Sequence, residues 1–325
     1  MIKKITIGLS AFLLLSAIVS CSNSTKQKLE IREAAQGVEV LEAGIPVLYF
    51  NKQPATIDGK YERAGFIHPL YDLEGKVLTE NGPADHPHHR GVFWAWHQVF
   101  LNGKQVGDGW VSEHIRFIPQ QLKTRQSGDD ILLDWSMTWQ ADSVKGKSVA
   151  LIAEQTLIRV QPANDSVRLI NFDIYLRPLQ DSVAIGGSND IKGYGGFSMR
   201  WKLPADLRFE SRDSMVQPQE PAVMGAPWMQ FRGHFNGEKE TAVSLLCAAP
   251  YPGPDQRWIL RGPDAVSMQN AVYPGRVPVL LAKEGLHLRY RLVVQRHPLT
   301  AATLENLWKQ YEQEKPVANS TNASQ

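Results

Sequence analysis

Apolar and polar residues alternate one by one along most of this chain, in short runs separated by turn-forming residues. In residues 168–176, Leu169, Asn171, Asp173 and Tyr175 would point one way and Ile170, Phe172, Ile174 and Leu176 the other. Successive side chains of an extended chain leave on opposite sides, so a period of two with one apolar face marks a half-buried antiparallel strand. Residues 131–139, 149–160 and 286–295 read the same way. Asn102-Gly103, Ser127-Gly128-Asp129-Asp130, Asn164-Asp165 and Asn236-Gly237 supply turns between such runs. Strands at this density predict an all-β protein, a large antiparallel β-sandwich of two packed sheets. A propeller is the lesser alternative, since no blade-length repeat shows. One helix is expected, at the C-terminus. There Leu304, Leu307, Trp308 and Tyr311 form an i, i+3, i+4, i+7 stripe, and Thr300 can cap its start. It should cover a sheet edge or one end of the sandwich.

The ends read differently from the middle. Lys3 and Lys4 precede an apolar stretch at 5–19, which has the length and flanks of a signal peptide, here taken as residues 1–20. Cys21 follows at once, where a bacterial lipobox places the cysteine that is lipidated and becomes the first mature residue. Residues 21–36 would then be a lipid-anchored tether, 37–315 a single sandwich domain and 316–325 a polar, disordered tail. This predicts a protein anchored to the bacterial cell envelope rather than spanning a membrane. The tether carries no acidic cluster, which favours a periplasm-facing position. With Cys21 consumed, Cys247 is the only other cysteine. It cannot form an intrachain disulfide, and its apolar surroundings make it a small buried hydrophobe. A net charge of +2, with no basic run interleaved with aromatics, argues against a nucleic-acid partner. Nothing in the chain fixes the oligomeric state.

Chemistry concentrates in residues 85–97, Asp-His-Pro-His-His-Arg-Gly-Val-Phe-Trp-Ala-Trp-His, which hold four of the chain's nine histidines. Histidine exchanges protons near neutral pH and binds metals, while tryptophan offers an apolar face with one polar handle. Pro87 disfavours a central strand, so the first histidines should lie on a loop leading into a strand at 92–99. Alternation would place Val92, Trp94, Trp96 and Gln98 on one face and Phe93, Ala95, His97 and Val99 on the other. In an extended chain His86 and His88 share a side and could hold a divalent metal, with His68 or a distant acid completing the site. Alternatively His88 or His89 serves as general acid or base, oriented by Asp85, with Arg90 or Arg200 binding an oxygen. A purely structural loop is the third option. Three histidines within four residues tip the balance towards function.

Other segments could add to a site. Residues 190–200 pack three glycines around Lys192, Tyr194 and Arg200, which could hold a carboxylate or sugar hydroxyls. The glycines there suit close backbone approach or bulges, since the phosphate-loop pattern is absent. Residues 227–234 add Trp228, Arg232 and His234, and the proline-rich stretch 250–258 has the composition of a loop at the rim of a binding face.

Asp85-His-Pro-His-His-Arg-Gly91, Gly193-Tyr-Gly-Gly196 with Arg200, and Phe66-Ile-His-Pro69 together resemble the PmoA-like family. These are secreted or lipid-anchored bacterial β-proteins that carry the name methane oxygenase PmoA. The resemblance runs over residues 37–312. It implies a sandwich like the galactose mutarotase supersandwich and a setting of carbohydrate use. The usual mutarotase histidine motif is missing, which argues against simple aldose 1-epimerisation. Beyond the leader there is no apolar run of about twenty residues, so methane oxidation by a membrane-spanning subunit is excluded on physical grounds. The expectation is an envelope lipoprotein that acts on a sugar or keto-sugar by acid/base or metal-assisted chemistry, as an epimerase, lyase or glycoside-cleaving enzyme. Its residues would be Asp85, His88, His89 and Arg90 for catalysis, and His68, Trp94, Trp96, Lys192, Tyr194, Arg200 and Trp228 for the ligand. The rival is a non-catalytic glycan-binding lipoprotein whose tryptophans stack on sugars.

Overall fold

A computed structural model describes residues 28–212, 214–248 and 256–316. The leader, the lipidation site Cys21, the start of the tether, most of the proline-rich stretch and the polar tail from 317 lie outside the described residues.

The alternating segments form two nine-stranded sheets. In spatial order the first holds Leu29–Glu33, Gly37–Glu42, Ile45–Asn51, Phe66–Leu70, Val92–Trp96, Gly195–Met199, Gln269–Val272, Gln256–Ile259 and Val223–Gly225. The second holds Ile115–Ser127, Asp130–Val144, Lys147–Val160, Val167–Pro178, Leu286–Gln295, Thr241–Ala248, Trp228–Gly233, Arg208–Ser211 and Ser214–Met215. Neighbouring strands run antiparallel, as in the Arg168↔Val294 to Leu176↔Leu286 ladder. Inward side chains of both sheets make one core, which makes the molecule an all-β sandwich. Aromatic contacts cross it: Trp94 meets Phe172, Phe197 meets Tyr290, Phe50 meets Trp135 and Trp96 meets Trp139.

Alternation at 168–176 holds as read. Ile170, Phe172, Ile174 and Leu176 enter the core. On the other face Asn171, Asp173 and Tyr175 pair across the ladder with Arg291, Arg289 and His287. The helix spans Ala301–Gln313, with the Thr300 side chain accepting from the Thr303 N–H at 3.2 Å. Its apolar stripe packs on Trp228, Leu246, Ala248 and Val293, so it covers an outer sheet face rather than an edge or an end.

Four expectations need correction. The domain begins earlier than residue 37, because Leu29–Glu33 folds back through a tight turn onto Gly37–Glu42 and buries Leu29. Trp94 and Trp96 do face one way, but that way is the inter-sheet core. They are 2% and 0% exposed, and their indole N–H groups donate to Glu154 and to the Tyr273 carbonyl, so neither can stack on a ligand. Trp228 is equally buried beneath the helix and donates to Glu305. Lastly, no single strand runs over 92–99. The chain leaves the first sheet after Trp96, bends at His97, and continues as Gln98–Leu101 in a smaller sheet ordered Val279–Leu280, Val183–Gly186, Gln98–Leu101, Lys104–Gly107. His97 and the tryptophans still point to opposite sides, since His97 lies on Trp110 of the outer face.

Candidate functional site

The outer face of the first sheet carries a second apolar layer of Phe66, Phe93, Ala95, Trp110 and Met268. The histidine loop folds over this layer. It follows two consecutive turns, closed by His86 N–H to the Pro83 carbonyl (3.0 Å) and His89 N–H to the His86 carbonyl (2.9 Å). The Gly82 N–H then bonds the His89 carbonyl at 2.8 Å and closes the loop on itself. Gly91 ends the loop where a Cβ would lie 2.3 Å from the Ile67 carbonyl oxygen, so only glycine lets the chain pass so close to the neighbouring strand.

Turn geometry overrides the extended-chain reading of the histidines. A turn brings residue i beside residue i+3. His86 and His89 therefore stack, with centroids 4.5 Å apart and planes at 5°. His88 stands edge-on to His89 at 4.5 Å and lies 5.7 Å from Tyr61. All three rings converge instead of splitting between two sides. Among the described residues no group of three or more His, Cys, Asp or Glu is placed to hold a metal ion, so the pairing of His86 with His88 lacks a third ligand.

Asp85 orients His86, not His88 or His89: its Oδ2 lies 2.8 Å from His86 Nδ1. Arg200 donates from Nη2 to both oxygens of Asp85 at 2.9 Å and from Nε to Glu80 at 2.9 Å. The Arg200 guanidinium thus serves protein carboxylates rather than a ligand. Burial alone would raise the Asp85 pKa, but the hydrogen bonds from His86 and Arg200 bring it down to about 2. Arg90 is fully buried and donates to Asn81 and to the carbonyls of Ala55 and Tyr61, so it pins the loop and cannot reach a ligand.

A second carboxylate–imidazole pair lies on the same face, joined to the histidine loop through Trp110, which both His89 and His97 contact. His97 Nδ1 lies 2.7 Å from Asp108 Oδ2. Asp108 is itself fixed, because its Oδ1 accepts the N–H groups of Trp110 (2.8 Å) and Val111 (3.1 Å). His97 stacks on Trp110 at 5.1 Å and 17°, and Trp110 touches Phe93 and Tyr194. Arg63, almost fully buried, donates to the Gly109 and Trp110 carbonyls and lies between the rings of Phe93 and Phe117. It anchors the Asp108 loop to the sheet beneath.

His88 sits within the fields of both pairs. Burial, then the neighbouring His86, His97 and Arg63, lowers its pKa to about 4 against the opposing pull of Asp108. Burial and the other two histidines hold His89 at about 2. Both are neutral at pH 7. His89 is only 3% exposed and supports the turn from inside. His68 bonds Thr79 Oγ1 at 3.0 Å and is held at about 4 by burial and Arg90, a neutral strand histidine. Tyr194 joins the site through Trp110. Lys192 does not, standing 3.9 Å from Glu220. A cleft of about 290 Å³ between Asp72, Lys76, Asn236 and Arg296 draws in none of these groups.

Of the site residues expected from sequence, Asp85, His86, His88, His89 and Tyr194 meet on one face, and His97 joins them. Sequence reading missed Arg63, Asp108 and Trp110. The Gly107-Asp-Gly-Trp110 stretch carried a signal, a glycine-flanked Asp beside a Trp, but its partner His97 is joined to it only in the fold.

Two carboxylate–imidazole pairs can each take up or release a proton through Nε2, because Nδ1 is committed to the carboxylate. Partly exposed and set around a neutral imidazole, they suit proton transfer at a polar ligand. Residues 37–309 match a family described as a family of unknown function (DUF6807). No curated protein matches the chain.

Proposed function

The chain belongs to that family of unknown function, DUF6807, and we propose that it is an enzyme moving protons on a carbohydrate or keto-sugar. The observation that carries this reading is the placement of the His97–Asp108 and His86–Asp85 pairs on one face, with neutral His88 between them. His97 takes the proton, with Asp108 stabilising the imidazolium that forms. His86, backed by Asp85, delivers a proton, to the opposite face of the same carbon in an epimerisation or to the leaving oxygen in an elimination. Epimerisation and elimination both need such a pair of groups. The edges of Tyr61 and Tyr194 supply hydroxyls and apolar surface for a sugar. The resemblance of the histidine loop to PmoA-like proteins supports a setting of carbohydrate use. The leader and Cys21 support an anchored position in the bacterial envelope, facing the periplasm. No step is routed through a metal, and the glycan-binding alternative loses the exposed tryptophans on which it rested.

The test is exchange of carbon-bound hydrogen. A panel of sugars and keto-sugars is incubated with the protein in D₂O and followed by NMR. Asp108→Asn and His97→Gln should each slow deuterium incorporation by about 100-fold or more, the usual worth of a general base. No incorporation with the native protein, or undiminished rates in both variants, sinks the reading.

A further inference from the structure

Tyr194 separates two spaces. Its ring lies 5.5 Å from Trp110, which carries His97. The guanidinium carbon of Arg261 lies 5.6 Å from the same ring. Arg261 lines a cavity of about 400 Å³, together with Lys192, Pro218, Glu220, Leu260 and Asp264. His97, Trp110, Tyr194 and Arg261 thus form one chain of contacts that ends in the lining of the cavity.

The wall is fixed in place. Arg261 donates from Nη1 to the carbonyls of Gln219 and Leu260 and from Nη2 to that of Glu220, at 2.7–2.8 Å. Asp190 Oδ1 accepts the N–H groups of Lys192 (2.9 Å) and Gly193 (3.1 Å), which sets Lys192 relative to Tyr194. The lining joins apolar surface from Pro218 and Leu260 to hydrogen-bonding groups from Lys192, Glu220 and Asp264. A sugar ring has that same division, with C–H faces and a hydroxyl rim. The volume lies within the range of small-molecule sites.

We infer that this cavity is a distal subsite for the ligand that reacts at His97, so that the substrate is an oligosaccharide of two or more linked sugars rather than a monosaccharide. The inference rests on the proposed function for the nature of the ligand. It accounts for Lys192, which the reacting site leaves unused. It also gives Tyr194 a second role, as the ridge between the reacting sugar and the next.

Gly262 allows a clean test. It lines the cavity, its φ of −85° suits any residue, and a Cβ there would meet no atom within 4 Å. Gly262→Trp therefore adds a large side chain to the lining of the subsite without forcing the backbone to move. Mono-, di- and trisaccharides of glucose, xylose, mannose and galactose are titrated calorimetrically into the native protein, Gly262→Trp and Lys192→Ala, with melting temperatures confirming the fold. In at least one series the trisaccharide should bind the native protein about tenfold or more tighter than the monosaccharide. That ratio should fall close to one in Gly262→Trp and part-way in Lys192→Ala. A native ratio near one in every series, a ratio that survives Gly262→Trp, or binding by no member overturns the subsite. Length-dependent binding without deuterium exchange would leave the subsite standing and the reaction wrong. Exchange without length dependence would do the reverse.

Discussion

Glu154 is 2% exposed in the inter-sheet core and accepts hydrogen bonds from Trp94 Nε1 (2.7 Å), Trp139 Nε1 (2.8 Å) and Thr156 Oγ1 (3.0 Å). Burial pushes its pKa up to about 7, over the opposing pull of those three donors and of Arg63. The sign of the consequence follows from which state holds the proton. Between the ordinary glutamate value near 4.5 and about 7, the folded protein keeps a proton that the unfolded chain has lost. Stability therefore falls as pH rises through that window, by up to about 3 kcal/mol, and levels off above it. Glu154→Gln should remove this dependence: urea unfolding at pH 5 and pH 8 should show the variant gaining on the native protein at the higher pH. An equal difference at both pH values would contradict the assignment. No sequence pattern marks Glu154, because its indole partners come from a strand in the other sheet and from a neighbouring strand. A carboxylate at this position in an alternating strand reads as a solvent-facing residue.

At the scale of elements, the helix and the long strands were legible because their signals are local. The stripe from Leu304 to Tyr311 and the cap at Thr300 appear where the spacing puts them. Thr300→Ala should cost about 1 kcal/mol, the usual worth of an N-cap side chain, measured as a shift in unfolding midpoint. A loss below a few tenths would mean that packing on Trp228 and Val293 alone holds the helix. Shorter elements were less legible. Leu29–Glu33 has only Leu29 and Ile31 to signal a strand, and it gains its place from pairing with Gly37–Glu42. Pro87 makes the loop before Val92 legible, but the extended-chain placement of its rings does not hold, because the backbone hydrogen bonds of that loop close within turns. That difference decided which rings meet.

For the molecule as a whole, three imidazoles resist protonation: His68 and His88 near 4 and His89 near 2. The unfolded chain takes up their protons as pH falls below about 6.5, and the folded protein does not. Stability is therefore intact above pH 6.5 and drains away below it, to about pH 4 for His68 and His88 and further for His89. His89 alone contributes a slope of about 1.4 kcal/mol per pH unit. In His89→Gln the dependence of unfolding free energy on pH between 4.5 and 6 should flatten by about one proton. An unchanged slope would place the acid sensitivity elsewhere. The sequence displayed the cluster itself, yet not its counterpart at Asp108 and Trp110, because contact across the outer face depends on how two sheets and a loop are arranged. The bend at His97 makes that arrangement hard to transplant. Residues on one side of it are in register with one sheet and those on the other side with a second. A one-residue insertion or deletion between Val92 and Leu101 would turn either the core tryptophans or the small sheet inside out. A designer borrowing this chemistry would have to carry both sheets with the histidine, whereas Gly103 at the hairpin tip just beyond has no atom within 4 Å of where a Cβ would stand.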